Sequence, residues 1–162
     1  MERIFTEGVA AILYDPNGKV LLNHCDGNTP YFKNTWSLFT GSIELDKDWV
    51  GGPNSFERTL DNAVRREVGE ELILDDGTPF CPVNFTYLGS DHFYDDMQEC
   101  TTHIFAAVIE IPFDRLRYAE GDGIGKFTKR SINEMTLAAN YKRIVLDFFG
   151  NGELLSLVSK GM

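Results

Sequence analysis

Residues Arg66-Glu67-Val68-Gly69-Glu70-Glu71 place the tightest constraint on this chain. On a helix, positions 67, 70 and 71 stand at i, i+3 and i+4, which puts three carboxylates on one face in neighbouring turns. Like charges at that spacing repel by about 0.2–0.5 kcal/mol per pair, so helix stability alone gives no reason for them. A divalent cation reverses the sign, because Mg2+ takes hard oxygen ligands and favours carboxylates that converge on one point. Arg66 is placed to hold one of the carboxylates in a fixed rotamer. A lone E-x-x-E-E is ordinarily a solvated acidic face; here the residues upstream change that reading.

Upstream lies Trp36-Ser37-Leu38-Phe39-Thr40-Gly41-Ser42-Ile43-Glu44, an apolar stretch that ends in a glycine turn. Taken together, Gly41, Glu44, Ala63 and the run from Arg66 to Glu71 resemble the Nudix box, G-x5-E-x7-R-E-U-x-E-E-x-G-U, with U an aliphatic residue. The resemblance implies the α/β class: a Nudix-type α/β/α sandwich with a central mixed β-sheet. It implies a single Nudix hydrolase domain over 1–162, with its core from about 4 to 149, and hydrolysis of a nucleoside diphosphate linked to another group. The box departs from the pattern in four places. Arg58 occupies the place of the first glutamate, 17 residues beyond Gly41 (58 − 41), so about eleven residues are inserted around Trp49-Val50-Gly51-Gly52-Pro53. Glu57 lies one residue out of register, Ile73 replaces the glycine after the paired glutamates, and Thr40 stands where a second glycine is common. The ligand core is intact while the turns around it are rebuilt, which bears on efficiency and substrate choice more than on metal binding.

The resemblance assigns Glu67, Glu70 and Glu71 to Mg2+ (or Mn2+), with the Gly41 region offering a backbone carbonyl. Glu67 or Glu120 is expected to orient or deprotonate the attacking water, and Arg66 to position Glu67. Glu120-Gly121-Asp122 is similar to an E-G-Q segment of the mutator-type nucleoside triphosphate pyrophosphohydrolases, and Asn140 aligns with an asparagine of that subfamily that bonds the purine edge. An amide offers both donor and acceptor, as base readout needs, and a helix N-cap is the alternative for Asn140. Phe39 and His24 are the other candidates to touch substrate, although aromatic residues in strands are more often core. The expected activity is Mg2+-dependent hydrolysis of a phosphoanhydride bond in a small nucleotide, with a nucleoside triphosphate or an oxidised purine triphosphate favoured. The alternatives are a hydrolase of nucleoside diphosphate sugars or dinucleotides, and a non-catalytic nucleotide- or protein-binding module of the same fold.

A length of 162 residues with 43% hydrophobic content suits one domain with a real core. No 18-residue apolar run occurs, and Met1-Glu2-Arg3 leads straight into a strand pattern, so neither a signal peptide nor a membrane span is expected. Cys25, Cys81 and Cys100 are odd in number and widely spaced, which suits reduced thiols and a cytoplasmic location. A net charge of −10 argues against a nucleic acid polymer as partner, because phosphate backbones need a basic face. It is compatible with a small nucleotide, whose phosphates meet cations gathered by acidic residues. A homodimer is admitted. His24, His92 and His103 lack zinc spacing and are expected on strand surfaces or in the core.

Along the chain, Ile4 to Tyr14 and Val20 to Leu22 flank a turn at Asp15-Pro16-Asn17-Gly18 and read as a hairpin. Cys25 to Asn34 reads as a loop and Trp36 to Thr40 as a short strand. Asn54-x-x-Glu57 has capping-box spacing at the head of the glutamate helix, behind Pro53, and makes Glu57 a candidate cap. Val83 to Tyr94 and Glu99 to Ile111 read as strands joined at Asp95-Asp96. A second capping box, Ser131-x-x-Glu134, opens a short helix, and a further helix runs from about Ala139 to Phe149 and stops at Gly150. The tail from Asn151 to Met162 is amphipathic at best and expected to be poorly ordered. The insertion, Leu45 to Pro53, is expected to border the substrate mouth.

Overall fold

The computed structural model describes residues 4–25, 27, 32–82, 84–119 and 123–160, the side chains of Ile4 and Lys160 excepted. Strand β1 (Ile4–Tyr14) is its axis. On one side β1 pairs in parallel with β7 (Gln98–Val108) along its full length, and β7 pairs antiparallel with β6 (Thr86–Tyr94). On the other side two partners share β1. The hairpin strand β2 (Val20–Cys25) holds only Leu13 and Tyr14, and β4 (Phe39–Ser42) takes Gly8 to Ala11. Beyond Leu21, β2 leaves β1 and pairs with β3 (Thr35–Ser37), while β9 (Ile124–Phe127) pairs with Val20 to Asn23 of β2. The sheet is mixed and splits beside β1. A small second sheet joins β5 (Leu72–Leu74) to β8 (Leu116–Tyr118).

Alternation along β1 sorts its side chains between two cores. Val9, Ala11 and Leu13 face α2 (Ser55–Glu71), whose Leu60, Ala63, Val64 and Val68 recur every three or four residues and are buried. Ala10, Ile12 and Tyr14 face α3 (Lys129–Asn133), α4 (Tyr141–Gly150) and α5 (Gly152–Lys160) through Ile132, Val145, Phe148 and Val158. Helices thus cover both faces of the sheet, as the α/β/α reading expects. Burial of each Leu or Val contributes about 1.5–3 kcal/mol, so α2 is held chiefly by its apolar stripe and its acidic face is free for other use.

Four local expectations are corrected. Asn54 precedes α2 with φ 57° and makes no side-chain cap bond; its carbonyl accepts from the Arg58 N–H at 3.0 Å, and Glu57 is exposed. Asparagine tolerates the left-handed region, so backbone conformation rather than capping explains it. At α3 the cap is Thr128, whose hydroxyl accepts from the Ser131 N–H at 3.1 Å, and Ser131 lies inside the helix. The stretch from Trp36 to Thr40 is two strands, broken at Leu38. The tail forms α5, seated by the buried Val158 and by a 3.0 Å bond between the Tyr14 and Ser159 hydroxyls, because its apolar face finds the second core.

Candidate active site

The glutamate helix meets the sheet at Gly41. That residue pairs with Val9 across β1 and β4, and the Glu67 carboxylate lies directly on its Cα: an added Cβ would stand 1.8 Å from Glu67 Cδ. The neighbouring glycine extends the arrangement. A Cβ on Gly8 would stand 2.6 Å from the Gly41 carbonyl oxygen, so Gly8 leaves room for that carbonyl. Two glycines with ordinary backbone angles are therefore required by close approach. Burial pushes the Glu67 carboxyl above the usual range, against the opposing pull of Arg66. Glu70 is exposed, and Glu71 keeps one carboxylate oxygen buried.

Arg66 is the hub. Its Nη1 donates to Glu67 Oε1 at 2.9 Å and to Glu70 Oε2 at 3.3 Å, and stands 3.3 Å from Glu44 Oε2. Its Nη2 donates to the Ser42 carbonyl at 3.0 Å. The remaining contacts go to a residue that the sequence reading did not single out. Asp48, 1% exposed, accepts from Nε at 2.7 Å and from Nη2 at 2.9 Å. Its Oδ2 also accepts the Glu44 backbone N–H at 2.8 Å, and the Arg66 guanidinium holds its carboxyl below the ordinary value. Asp48 ends α1 (Leu45–Asp48), a helix inside the insertion. The available signal was an aspartate within an insertion next to a box arginine, and no spacing rule marks it.

Where the sheet splits, a cleft of about 290 Å3 opens. Thr6 and Gly8 of β1, Cys25 of β2, Thr40 to Ser42 of β4, Cys100 and Thr102 of β7, and Tyr141 at the head of α4 line it. Gly41, against which the Glu67 carboxylate sits, is thus shared between the cleft and the carboxylate helix. Burial pushes the Tyr141 phenol up to about 12, so it remains a neutral hydroxyl across the working pH range.

The other predicted substrate residues lie elsewhere. Phe39 is 1% exposed in the α2-side core with its ring edge against Tyr118; it packs and does not line the cleft. Its register partner Ala11 faces α2, which fixes that side. The His24 ring packs edge-on against Trp36 at 4.9 Å, and its neighbour Cys25 is the strand residue that reaches the cleft. Asn140 precedes α4 without a side-chain cap; its amide nitrogen donates to Asp91 Oδ2 at 2.9 Å and to the His92 carbonyl at 3.2 Å, tying α4 to β6. Arg143 closes the same cluster on Asp91 Oδ1 at 2.8 Å. Glu120 falls outside the described residues. His103 is buried, its Nε2 2.8 Å from Glu7 Oε1 and its Nδ1 3.1 Å from the Tyr87 hydroxyl, as the core reading of the histidines allows.

Among the described residues no three His, Cys, Asp or Glu side chains already stand as a metal-binding group. As placed, the Arg66 Nη1 occupies the position shared by Glu67 and Glu70. The donor set nonetheless fits a hard divalent cation: three carboxylates on adjacent turns, one of them seated in a cradle that a Cβ would fill.

No protein-family model and no curated protein sequence matches the chain. Solved structures do. A MutT protein from Methanosarcina mazei Go1 superposes with TM-score 0.65 at 19% identity, over 93% of this chain and 96% of that one. The Nudix domain of Shewanella oneidensis NrtR, solved with ADP ribose, gives 0.64 at 17% identity over 90% and 85%. A Nudix hydrolase from Alicyclobacillus acidocaldarius gives 0.64 at 12% identity over 98% and 93%. The chain therefore has the Nudix fold.

Proposed function

We propose that this chain is a pyrophosphohydrolase that splits a phosphoanhydride bond of a small nucleotide with Mg2+, or Mn2+ in its place, and that a nucleoside triphosphate is its preferred substrate class. The seating of Glu67 on Gly41, a strand residue that also lines the cleft, is the observation that carries this reading. Glu67, Glu70, Glu71 and the Gly41 carbonyl would hold the cation, which when bound neutralises phosphate charge and lowers the pKa of water. Arg66 engages Glu67 Oε1, which fixes the carboxylate and leaves Oε2 to take a proton. A carboxylate oriented in this way is placed to act as general base. Water attacks phosphorus, its proton passes to Glu67, and the P–O anhydride bond breaks with the electron pair leaving on the departing phosphate. Thr6, Thr40, Thr102 and Tyr141 offer hydroxyls to the nucleoside in the cleft.

Phosphate release from a panel of nucleotides, with and without Mg2+, tests the reading. Glu70→Gln should lower turnover by orders of magnitude with an unchanged circular dichroism spectrum. Near-wild-type turnover in that variant would overturn the assignment. The NrtR domain with ADP ribose supports a second reading, a nucleoside diphosphate sugar as the ligand, and ADP ribose belongs in the panel for that reason.

A further inference from the structure

The insertion supplies the acidic partner of the box arginine. Position 58, where the box pattern has glutamate, is an exposed arginine bonded to the Gly51 carbonyl at 3.1 Å, and Glu57 is exposed. Asp48 instead reaches Arg66 from α1. It grips two of the three guanidinium nitrogens, Nε and Nη2, and is itself held by the Glu44 N–H on Oδ2. The backbone around it is pinned to α2: Asn62 Nδ2 donates to the Asp48 carbonyl at 3.2 Å, the Val50 N–H to Thr59 Oγ1 at 3.1 Å, and the Ser55 hydroxyl to the Val50 carbonyl. The insertion is thus tied down at both ends of its contact with the helix.

A planar guanidinium gripped bidentately along one edge has its third nitrogen aimed in a fixed direction. That nitrogen, Nη1, is the one that touches Glu67 and Glu70. We propose that Asp48 is a positioning residue of the active site, an inserted carboxylate that aims Arg66 and limits how much of its charge reaches the cation-binding glutamates. Without Asp48, the freed Nε and Nη2 donors of a largely buried guanidinium turn to the nearest carboxylates. They then compete with a divalent cation for the oxygens of Glu67 and Glu70. The insertion accordingly acts on the cation site, and none of residues 45–53 is among those that line the cleft. This inference rests on the reading of Glu67, Glu70 and Glu71 as a divalent-cation site.

The test is direct Mn2+ binding to the full chain, read from the electron paramagnetic resonance signal of free Mn2+, below each variant's melting transition. Asp48→Asn should weaken Mn2+ binding by roughly tenfold or more, as loss of an outer-shell partner does. In an Arg66→Gln background the same change should shift affinity by less than about twofold, since Asp48 acts through Arg66. Turnover should show the same non-additivity, with kcat falling and KM nearly unchanged. Should Asp48→Asn fail to fold, Asp48→Glu keeps the buried charge but displaces the guanidinium, and a several-fold weakening is expected. Mn2+ affinity that is unchanged in the folded variant, or losses that add across the cycle, overturn the proposal. Glu70→Gln separates the two failures. Mn2+ binding that depends on Glu70 but not on Asp48 sinks this inference alone, whereas binding that is absent in wild type or indifferent to Glu70 removes the cation site itself and this role with it.

Discussion

The Cα of Gly41 and the carboxylate of Glu67 are in direct contact, with no space between them for a methyl group. Gly41→Ala must therefore displace Glu67, the backbone of β4, or both. Because Gly41 pairs with Val9 in the sheet, the strand is the stiffer partner and the glutamate should move. We expect turnover to fall by about a hundredfold or more, in line with the sensitivity of catalysis to misplacement of an ångström. Steady-state kinetics alongside a melting curve check this. Full activity in Gly41→Ala would show that Glu67 does not act from its observed place.

Stability against pH gives a second prediction. The folded-state pKa of Glu67 is raised, mainly by burial, so the native state binds this proton more tightly than the unfolded chain does. Stability from this group is present at acid pH and is lost as pH rises from the ordinary carboxylate value through the raised folded one. Glu67→Gln, neutral throughout, should melt higher than wild type at pH 7 in the presence of a chelator. The difference should shrink as pH falls toward the ordinary glutamate range. A difference that widens on acidification would contradict the burial argument.

For Asn140 the tie between α4 and β6 sets the expectation. Asn140→Ala removes one bond to Asp91, keeping that from Arg143, and removes the donor to the His92 carbonyl. A loss of about 1–3 kcal/mol in stability is expected, from the two hydrogen bonds and the groups left behind. If the amide instead reads a purine edge, as the family resemblance implies, the loss concentrates in kcat/KM for purine over pyrimidine triphosphates. Melting curves and a four-nucleotide comparison resolve the two roles.

Phe39→Ala should cost about 3–5 kcal/mol of stability, the usual penalty for emptying a buried aromatic site. The ranking among substrates should stay as in wild type, because the ring faces Tyr118 and the α2-side core. Chemical denaturation and the same nucleotide panel measure both quantities. A changed ranking with intact stability would return Phe39 to the binding site.

Much of the fold was legible because period and burial coincide. The apolar and β-branched run over Ile4 to Tyr14, and the stretch from Asn54 to the paired glutamates with Gly69 its first breaker, are signals spread over many residues and survive a few exceptions. Caps are single-residue signals and fared worse. Asn54 and Ser131 each began a capping-box spacing, yet one adopts a left-handed backbone and the other lies within its helix, one turn after Thr128. The tail was unreadable as structure because its apolar residues become a face only when the α3 and α4 layer is there to receive them.

The sequence by itself determined which residue types stand together on one helix: Arg66, Glu67, Glu70 and Glu71 are neighbours by helical geometry alone, whatever the rest of the chain does. Through the family pattern it also drew attention to Gly41, as a source of a backbone carbonyl. Only the tertiary structure decided what those residues touch. Asp48 reaches Arg66 across 18 residues of chain, and Phe39 turns away from the cleft because Ala11 fixes its side of the sheet. The physical reason is that local spacing sets contacts within an element, whereas contacts between elements depend on how β1 divides its edge between β2 and β4. That division opens the cleft, brings Gly41 under Glu67, and folds the insertion back onto the guanidinium.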